Sequence, residues 1–241
     1  MPSPASDSVH AYFRANARNV APASLAVPVS VLFAPASTST EVTSLCAALL
    51  SEEERQAASK LLTDELRARF VQRRAFRRFC AASAGAEQPL DAIAFAFTEI
   101  GAPFLPALPH TAFSFSACSS GHLAAWSTAC TPGVDIEDRK KVEAADLART
   151  YFTPREADAV AAADDASRLK TFLQFWTLKE AALKSIGEGL PFGLDTFEFE
   201  LGPPPRIVNA PSRPGIAERF TAQFLDVGSN YHAALVTRSN T

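Results

Sequence analysis

The sequence predicts an α+β fold in two similar lobes, each a small, mainly antiparallel sheet packed with helices. Three observations carry that expectation. Each half of the 241 residues holds one long helical stretch free of breakers, at about 63–83 and about 166–186. Each half signs a helix start with a capping box, a hydroxyl residue three positions before a glutamate: Ser51 with Glu54, and Thr153 with Glu156. Each half also contains an alternating run typical of a strand, "DAIAFAFTEI" at 91–100 and "LDTFEFEL" at 194–201. The matching content hints at an internal duplication, although no residue-level repeat is evident.

In chain order, residues 1–22 are rich in Ala, Ser, Pro and Asn, lack the apolar segment of a secretory signal, and read as a mobile leader. The first lobe then spans 23–130. "SLAVPVSVLFA" at 24–34 is rich in β-branched residues and reads as a strand. The chain turns helical from Ser37, and the long helix from Thr63 meets no breaker before Gly85. "APFLPALPH" at 102–110 carries three prolines and reads as a loop, with "TAFSFSAC" as a short strand and "HLAAWSTAC" as another, although its alanines would also suit a helix.

The second lobe spans 131–241. Pro132 and Gly133 read as a break before a buried strand at Val134–Ile136. Pro154 falls at the first helical position, where its missing N–H does no harm. That helix runs to about Ala163, and the next, long one ends at Gly187 and Gly189. "GPPPRI" and "NAPSRPG" read as turns, and "AERFTAQFLDV" and "YHAALVTR" as closing strands.

A net charge of −3 argues against a general nucleic-acid or membrane-surface binder, and no apolar run approaches the ~20 residues of a membrane span. Cys46, Cys80, Cys118 and Cys130 form no CxxC pair and no zinc spacing, so they read as buried free thiols in a reducing, cytoplasmic setting. The four histidines make no ligand pattern, and His122 and His232, in apolar surroundings, read as structural.

The chemistry gathers in "GVDIED" at 133–138 and "FWTLKEAALK" at 175–184. Strand alternation puts Asp135 and Glu137 on one face while Ile136 points into the core. Two neighbouring carboxylates repel unless a cation neutralises them, and oxygen-only ligands select a hard divalent ion, Mg²⁺ or Mn²⁺. On the helix, Trp176, Glu180 and Lys184 recur every fourth residue and share a face. Taken singly, these groups also suit a surface DxE on an edge strand and a solvated Glu180–Lys184 pair.

The two stretches together resemble the signature motifs of the Sfp-type 4'-phosphopantetheinyl transferases: G-(V/I)-D-x-E, a spacer of about forty residues, then W-(S/T/C)-x-K-E-(A/S)-x-x-K. Gly133, Asp135, Glu137, Trp176, Thr177, Lys179, Glu180, Ala181 and Lys184 match every fixed position. "YFTPREADAV" stands where these enzymes carry an F-F-(S/T)-x-x-E helix start. The resemblance implies a monomer of two pseudo-twofold-related lobes with the active site between them. It implies transfer of 4'-phosphopantetheine from coenzyme A to a serine of an acyl, polyketide or peptidyl carrier protein, with release of adenosine 3',5'-bisphosphate. Asp135, Glu137 and Glu180 would hold Mg²⁺. Lys184 would reach a phosphate oxygen, Lys179 would assist there or orient the carboxylates, and Glu180, directly or through water, would take the serine proton.

The first half departs from the family pattern. "EIGAP" has Ala102 where the family carries lysine in E-x-G-K-P, and "FSFSAC" has Ala117 where F-N-(I/L)-S-H-(S/T) carries a phosphate-binding histidine. Each missing cationic hydrogen bond is worth roughly 1.5–3 kcal/mol. Compensation is expected from Arg69 and Arg73, which recur with Arg77 every fourth residue; Arg69 falls where the family places a phosphate-contacting arginine. Ser116 and Ser119 could bond the nucleotide from the central loop. Arg139, Lys140 and Lys141 form a cationic cluster that is either a docking element for an acidic carrier or plain solvated surface. The rival readings are a degenerate relative that binds carrier proteins without catalysis and a different metal-dependent phosphate hydrolase.

Overall fold

The same order of elements occurs twice along the chain. A computed structural model describes residues 3–239 apart from 23–24, 26, 141, 188–192 and 211–218. In the first half α1 (Pro4–Asn16) and β1 (Arg18–Asn19) lead into β2 (Ser30–Pro35), α2 (Thr40–Ala47), α3 (Glu52–Ser59) and α4 (Asp64–Ser83). The minor strands β3 (Ala96–Phe97) and β4 (Pro103–Phe104) precede the hairpin of β5 (Ala112–Ala117) and β6 (Gly121–Ser127). The second half repeats this from β2 onward. It runs through β7 (Cys130–Asp138), α5 (Ala144–Tyr151), α6 (Pro154–Ala162), α7 (Asp165–Ile186), the minor strands β8 (Glu198–Glu200) and β9 (Arg206–Asn209), and the hairpin of β10 (Phe220–Phe224) and β11 (Tyr231–Ser239). Sheet orders are β1-β2-β6-β5 and β10-β11-β7, with every pairing antiparallel. In both, the last strand inserts between its hairpin partner and the strand that precedes the helices.

Strand alternation sorts each sheet into two apolar faces. Val31, Phe33, Leu123 and Ala125 of the first sheet meet Val134, Ile136, Ala233 and Leu235 of the second in a central layer. The outer face of the first sheet lies under α1–α4, where Phe13 and Phe76 reach Ala124 and Phe113. The outer face of the second lies under α5–α7, where Phe172 and Leu178 reach Ala234 and Val236. The result is helices, sheet, sheet, helices.

Both long helices are locked to a preceding capping box by a buried ion pair. Glu54 completes the box with Ser51 and also takes Arg78 Nη2 at 2.7 Å. Glu156 completes the box with Thr153 and takes Lys179 Nζ at 2.6 Å. Arg78 and Lys179 stand the same number of residues into their helices. The repeated order of elements that the residue types conceal is therefore plain in topology and in this pair.

The sheets meet along their edges as well as their faces. β5 and β7 are both edge strands, and Ser114 Oγ accepts from Val134 N at 3.1 Å while Ser116 Oγ accepts from Ile136 N at 3.4 Å. Side-chain hydroxyls thus serve the N–H groups that an exposed edge would leave to water. On the other side of β7, α7 comes so close that a Cβ on Gly133 would lie 1.9 Å from Ala181 O and 2.6 Å from Ser185 N. Both are backbone atoms, so Gly133→Ala is expected to force helix from strand and to cost roughly 1–3 kcal/mol, as overpacking does. A denaturation midpoint equal to that of the unsubstituted protein would refute this close contact.

Several expectations are corrected. Residues 1–22 are not a mobile leader throughout: Ser3 caps α1 with Pro4 at its start, and Val9 and Phe13, at most 1% exposed, anchor it to the first core. Burial contributes roughly 1.5–3 kcal/mol for each such side chain. Pro132 and Gly133 do not break the chain but lie inside β7, where an edge strand tolerates proline. The alternating run at 91–100 yields only β3, helix α5 was not anticipated, and "GPPPRI" leads into β9. The helix ends α4 and α7 fall where expected, α7 being closed by Gly187 at φ 76°. Ser24, Lys141, Gly189 and positions 211–218 lie outside the described residues. Among the described residues no helix is long and apolar enough to cross a membrane.

Candidate active site

Helix α7 crosses β7 on the face that carries Gly133, Asp135 and Glu137, and the missing side chain at Gly133 brings the two elements together. Asp135 is 4% exposed. Its Oδ1 accepts from Lys184 Nζ at 2.7 Å and from Ser116 Oγ at 2.8 Å, and Lys184 Nζ also reaches Val134 O at 3.2 Å. The other oxygen, Oδ2, is buried without a partner.

The flanking carboxylates feel the same crowding. Burial, then Asp135, pushes the Glu137 carboxyl up to about 7, against Lys184 and a hydrogen bond from Trp176. Burial also raises Glu180, with Lys184 opposing and Asp135 adding to the rise. Among the described residues no three carboxylate, imidazole or thiolate groups converge closely enough to hold a metal as they stand. The donor set nonetheless fits a hard cation. It is all oxygen, it includes a bare buried carboxylate oxygen, and its two other members are uncomfortable as anions. Lys184 supplies the neutralising charge in this arrangement.

Glu137 and Trp176 open onto a cavity of about 560 Å³ between the lobes. Arg69 and Arg73 of α4 line it from the first half, together with Ala117 and His122, and Lys140 stands at its edge. Arg69 pairs with Glu65, and the Arg73 guanidinium is 5.9 Å from the Phe70 ring centroid. Arg77 leaves this row: it lies 5.0 Å from the Phe115 ring centroid, and burial, then Arg74 and Arg73, lowers its pKa to about 10. The rim is fixed by Asp138, which accepts from Ser119 N at 2.8 Å and from the hydroxyls of Ser119 and Ser120. Burial raises its carboxyl, but those hydrogen bonds win and hold it well below the usual range.

The structure therefore pairs Asp135 with Lys184, sets Glu137 and Glu180 within their electrostatic reach, and lines the cavity beside Glu137 with Arg69 and Arg73. It does not bring Lys179 there. That ammonium is fully buried on the far side of α7, bound to Glu156, Leu194 O at 2.9 Å and Phe197 O at 2.5 Å. Ser116 is likewise corrected: its hydroxyl is engaged by Asp135 and holds that carboxylate rather than lining the cavity. Trp176 packs against Phe172, Phe152 and Tyr151. Sequence reasoning missed the Asp138 clamp and the place of His122; only the second function of Glu156 had a visible signal, its capping box.

The profile described as "4'-phosphopantetheinyl transferase superfamily" matches residues 131–236. A Bacillus subtilis 4'-phosphopantetheinyl transferase is 34% identical over 110 residues, covering 45% of this chain and 48% of that protein. The match thus spans about half of that relative's length. The 4'-phosphopantetheinyl transferase HetI of Nostoc sp. is 30% identical over 172 residues, covering 69% of this chain and 72% of HetI. Among solved structures, the holo-[acyl-carrier-protein] synthase of Thermotoga maritima aligns with a TM-score of 0.38 and 19% identity, over 46% of this chain and 63% of that one.

Proposed function

The chain belongs to the 4'-phosphopantetheinyl transferase superfamily, and from that premise we propose that it moves 4'-phosphopantetheine from coenzyme A to a serine of an acyl, polyketide or peptidyl carrier protein. The observation that carries this reading is Asp135, whose Oδ2 is buried without a partner and whose charge helps raise both Glu137 and Glu180, Glu137 itself sharing a cavity with Arg69 and Arg73.

The reaction forms a bond between the serine oxygen and the phosphorus next to pantetheine, breaks the pyrophosphate bridge, and releases adenosine 3',5'-bisphosphate. Asp135, Glu137 and Glu180 would hold Mg²⁺, which when bound neutralises pyrophosphate charge. Glu180, whose burial strengthens its hold on a proton, would take the proton of the serine hydroxyl. Lys184, now on Asp135, supplies positive charge beside the reacting phosphate, and Ser116 fixes the Asp135 rotamer. Arg69 and Arg73 hold the nucleotide's remaining anionic groups.

Intact-mass measurement of apo carrier proteins from fatty-acid, polyketide and peptide synthesis, incubated with the protein, coenzyme A and Mg²⁺, tests this. A phosphopantetheine-sized gain that a chelator abolishes is expected for at least one carrier. No gain on any of them would leave the non-catalytic carrier binder in its place.

A further inference from the structure

The two oxygens of Asp135 are unequally served. Oδ1 accepts from Lys184 Nζ at 2.7 Å and from Ser116 Oγ at 2.8 Å, whereas Oδ2 is buried without a partner. Lys184 Nζ also donates to Val134 O at 3.2 Å, so two acceptors of β7 hold the ammonium. The aspartate side chain is 5% exposed and the lysine side chain 30%, which weakens solvent screening of the pair and leaves the lysine alone a way out to water. Ser116 is a second tether on the carboxylate. Its hydroxyl also accepts from Ile136 N at 3.4 Å, so Asp135 keeps its rotamer whether or not the ammonium stays.

We propose that Lys184 is a built-in counter-ion that a divalent cation must displace from Asp135, so that cation binding is coupled to the arrival of an anionic ligand. A cation on Oδ2 and an ammonium on Oδ1 would face each other across one poorly screened carboxylate, where like charges repel strongly. Asp135 is held by Ser116 and by its strand, so the lysine is the group that moves. Once released, the ammonium has lost its acceptors on β7 and needs another anion. The inference rests on the transferase reading, which supplies that anion as the pyrophosphate of coenzyme A. Coupling of this kind is reciprocal: coenzyme A strengthens the hold on the cation, and the cation strengthens the hold on coenzyme A. The cation alone is held weakly, and the site loads cation and nucleotide together.

Amine acetylation of the full chain, read at each lysine by mass spectrometry with and without Mg²⁺ and with no nucleotide, tests the displacement. Labelling of Lys184 should rise severalfold with Mg²⁺, while the fully buried Lys179 stays protected and the exposed Lys140 stays labelled. Coenzyme A added with Mg²⁺ should protect Lys184 again. Mn²⁺ binding, followed by electron paramagnetic resonance, gives the energetic side. Lys184→Gln keeps an N–H donor for Asp135 and drops the charge; it should bind Mn²⁺ alone about tenfold tighter and lose most of the gain that coenzyme A gives the unsubstituted protein. The labelling needs no variant and so decides the matter even if Lys184→Gln does not fold. Unchanged Lys184 labelling at saturating Mg²⁺ would overturn the displacement, even beside tighter Mn²⁺ binding in the variant, because loss of a nearby positive charge is enough for that. Unchanged or weaker Mn²⁺ binding by folded Lys184→Gln would overturn it too. Neither result touches the transferase reading, which the carrier mass measurement decides separately. Absence of Mn²⁺ binding to either protein would remove the metal site, and the counter-ion role with it.

Discussion

Asp135→Asn is expected to lower phosphopantetheine transfer at least about a hundredfold, the scale on which removing one preorganised electrostatic group from an active site acts. The substitution keeps volume and can keep the Ser116 and Lys184 contacts to the remaining oxygen, but it removes the charge and converts the bare Oδ2 into an amide. It also relieves Glu137 and Glu180 of their closest shared like charge, so both should ionise more easily. Folding should survive, because the stranded Lys184 side chain keeps 30% exposure. Transfer by intact mass, together with the thermal shift produced by Mg²⁺, checks this. An Asp135→Asn protein with undiminished transfer and an undiminished shift would remove Asp135 from the metal site.

Lys179→Met is expected to act on stability instead. Breaking a fully buried ion pair by removing one partner costs about 3–5 kcal/mol, since the other charge is left without compensation. Here the stranded group is Glu156, which also accepts from Thr153 N at 3.0 Å and Phe199 N at 2.8 Å and so ties α6 and β8 to α7. The double variant Glu156→Gln, Lys179→Met removes both charges and should regain part of the loss. Denaturant midpoints give the stability, and Mg²⁺ and nucleotide affinities of the folded variants should stay near those of the parent. A Lys179→Met protein of normal stability but no activity would return that lysine to the chemistry.

The contrast between the two lysines shows what was legible. Helix periodicity alone puts Lys179 about 100° from Glu180 and about 140° from Lys184, off the stripe that faces β7. The motif names both lysines, and only the helical angle separates them. Capping boxes, the Gly187 terminus and the Asp135–Glu137 alternation were readable because each depends on residues close in sequence. Helix α1 was not, because its anchoring stripe is little more than Val9 and Phe13 in a polar segment. The place of His122 on the cavity wall was not legible for a similar reason. Its environment is made by Ala117 across the hairpin and by arginines of α4, none of them its neighbours in the chain.

Two identical half-chains joined across the same central layer would carry every substitution twice and would present two equivalent clefts. Tandem connection lifts that constraint. Phe79 follows Arg78 in α4 where Glu180 follows Lys179 in α7, so one copy of the position serves a core and the other serves chemistry. One half can specialise in anions and the other in cations without either choice being imposed on both. For the proposed transferase, that would mean one nucleotide and one carrier serine per chain, engaged by two halves that share one order of elements but not one chemistry.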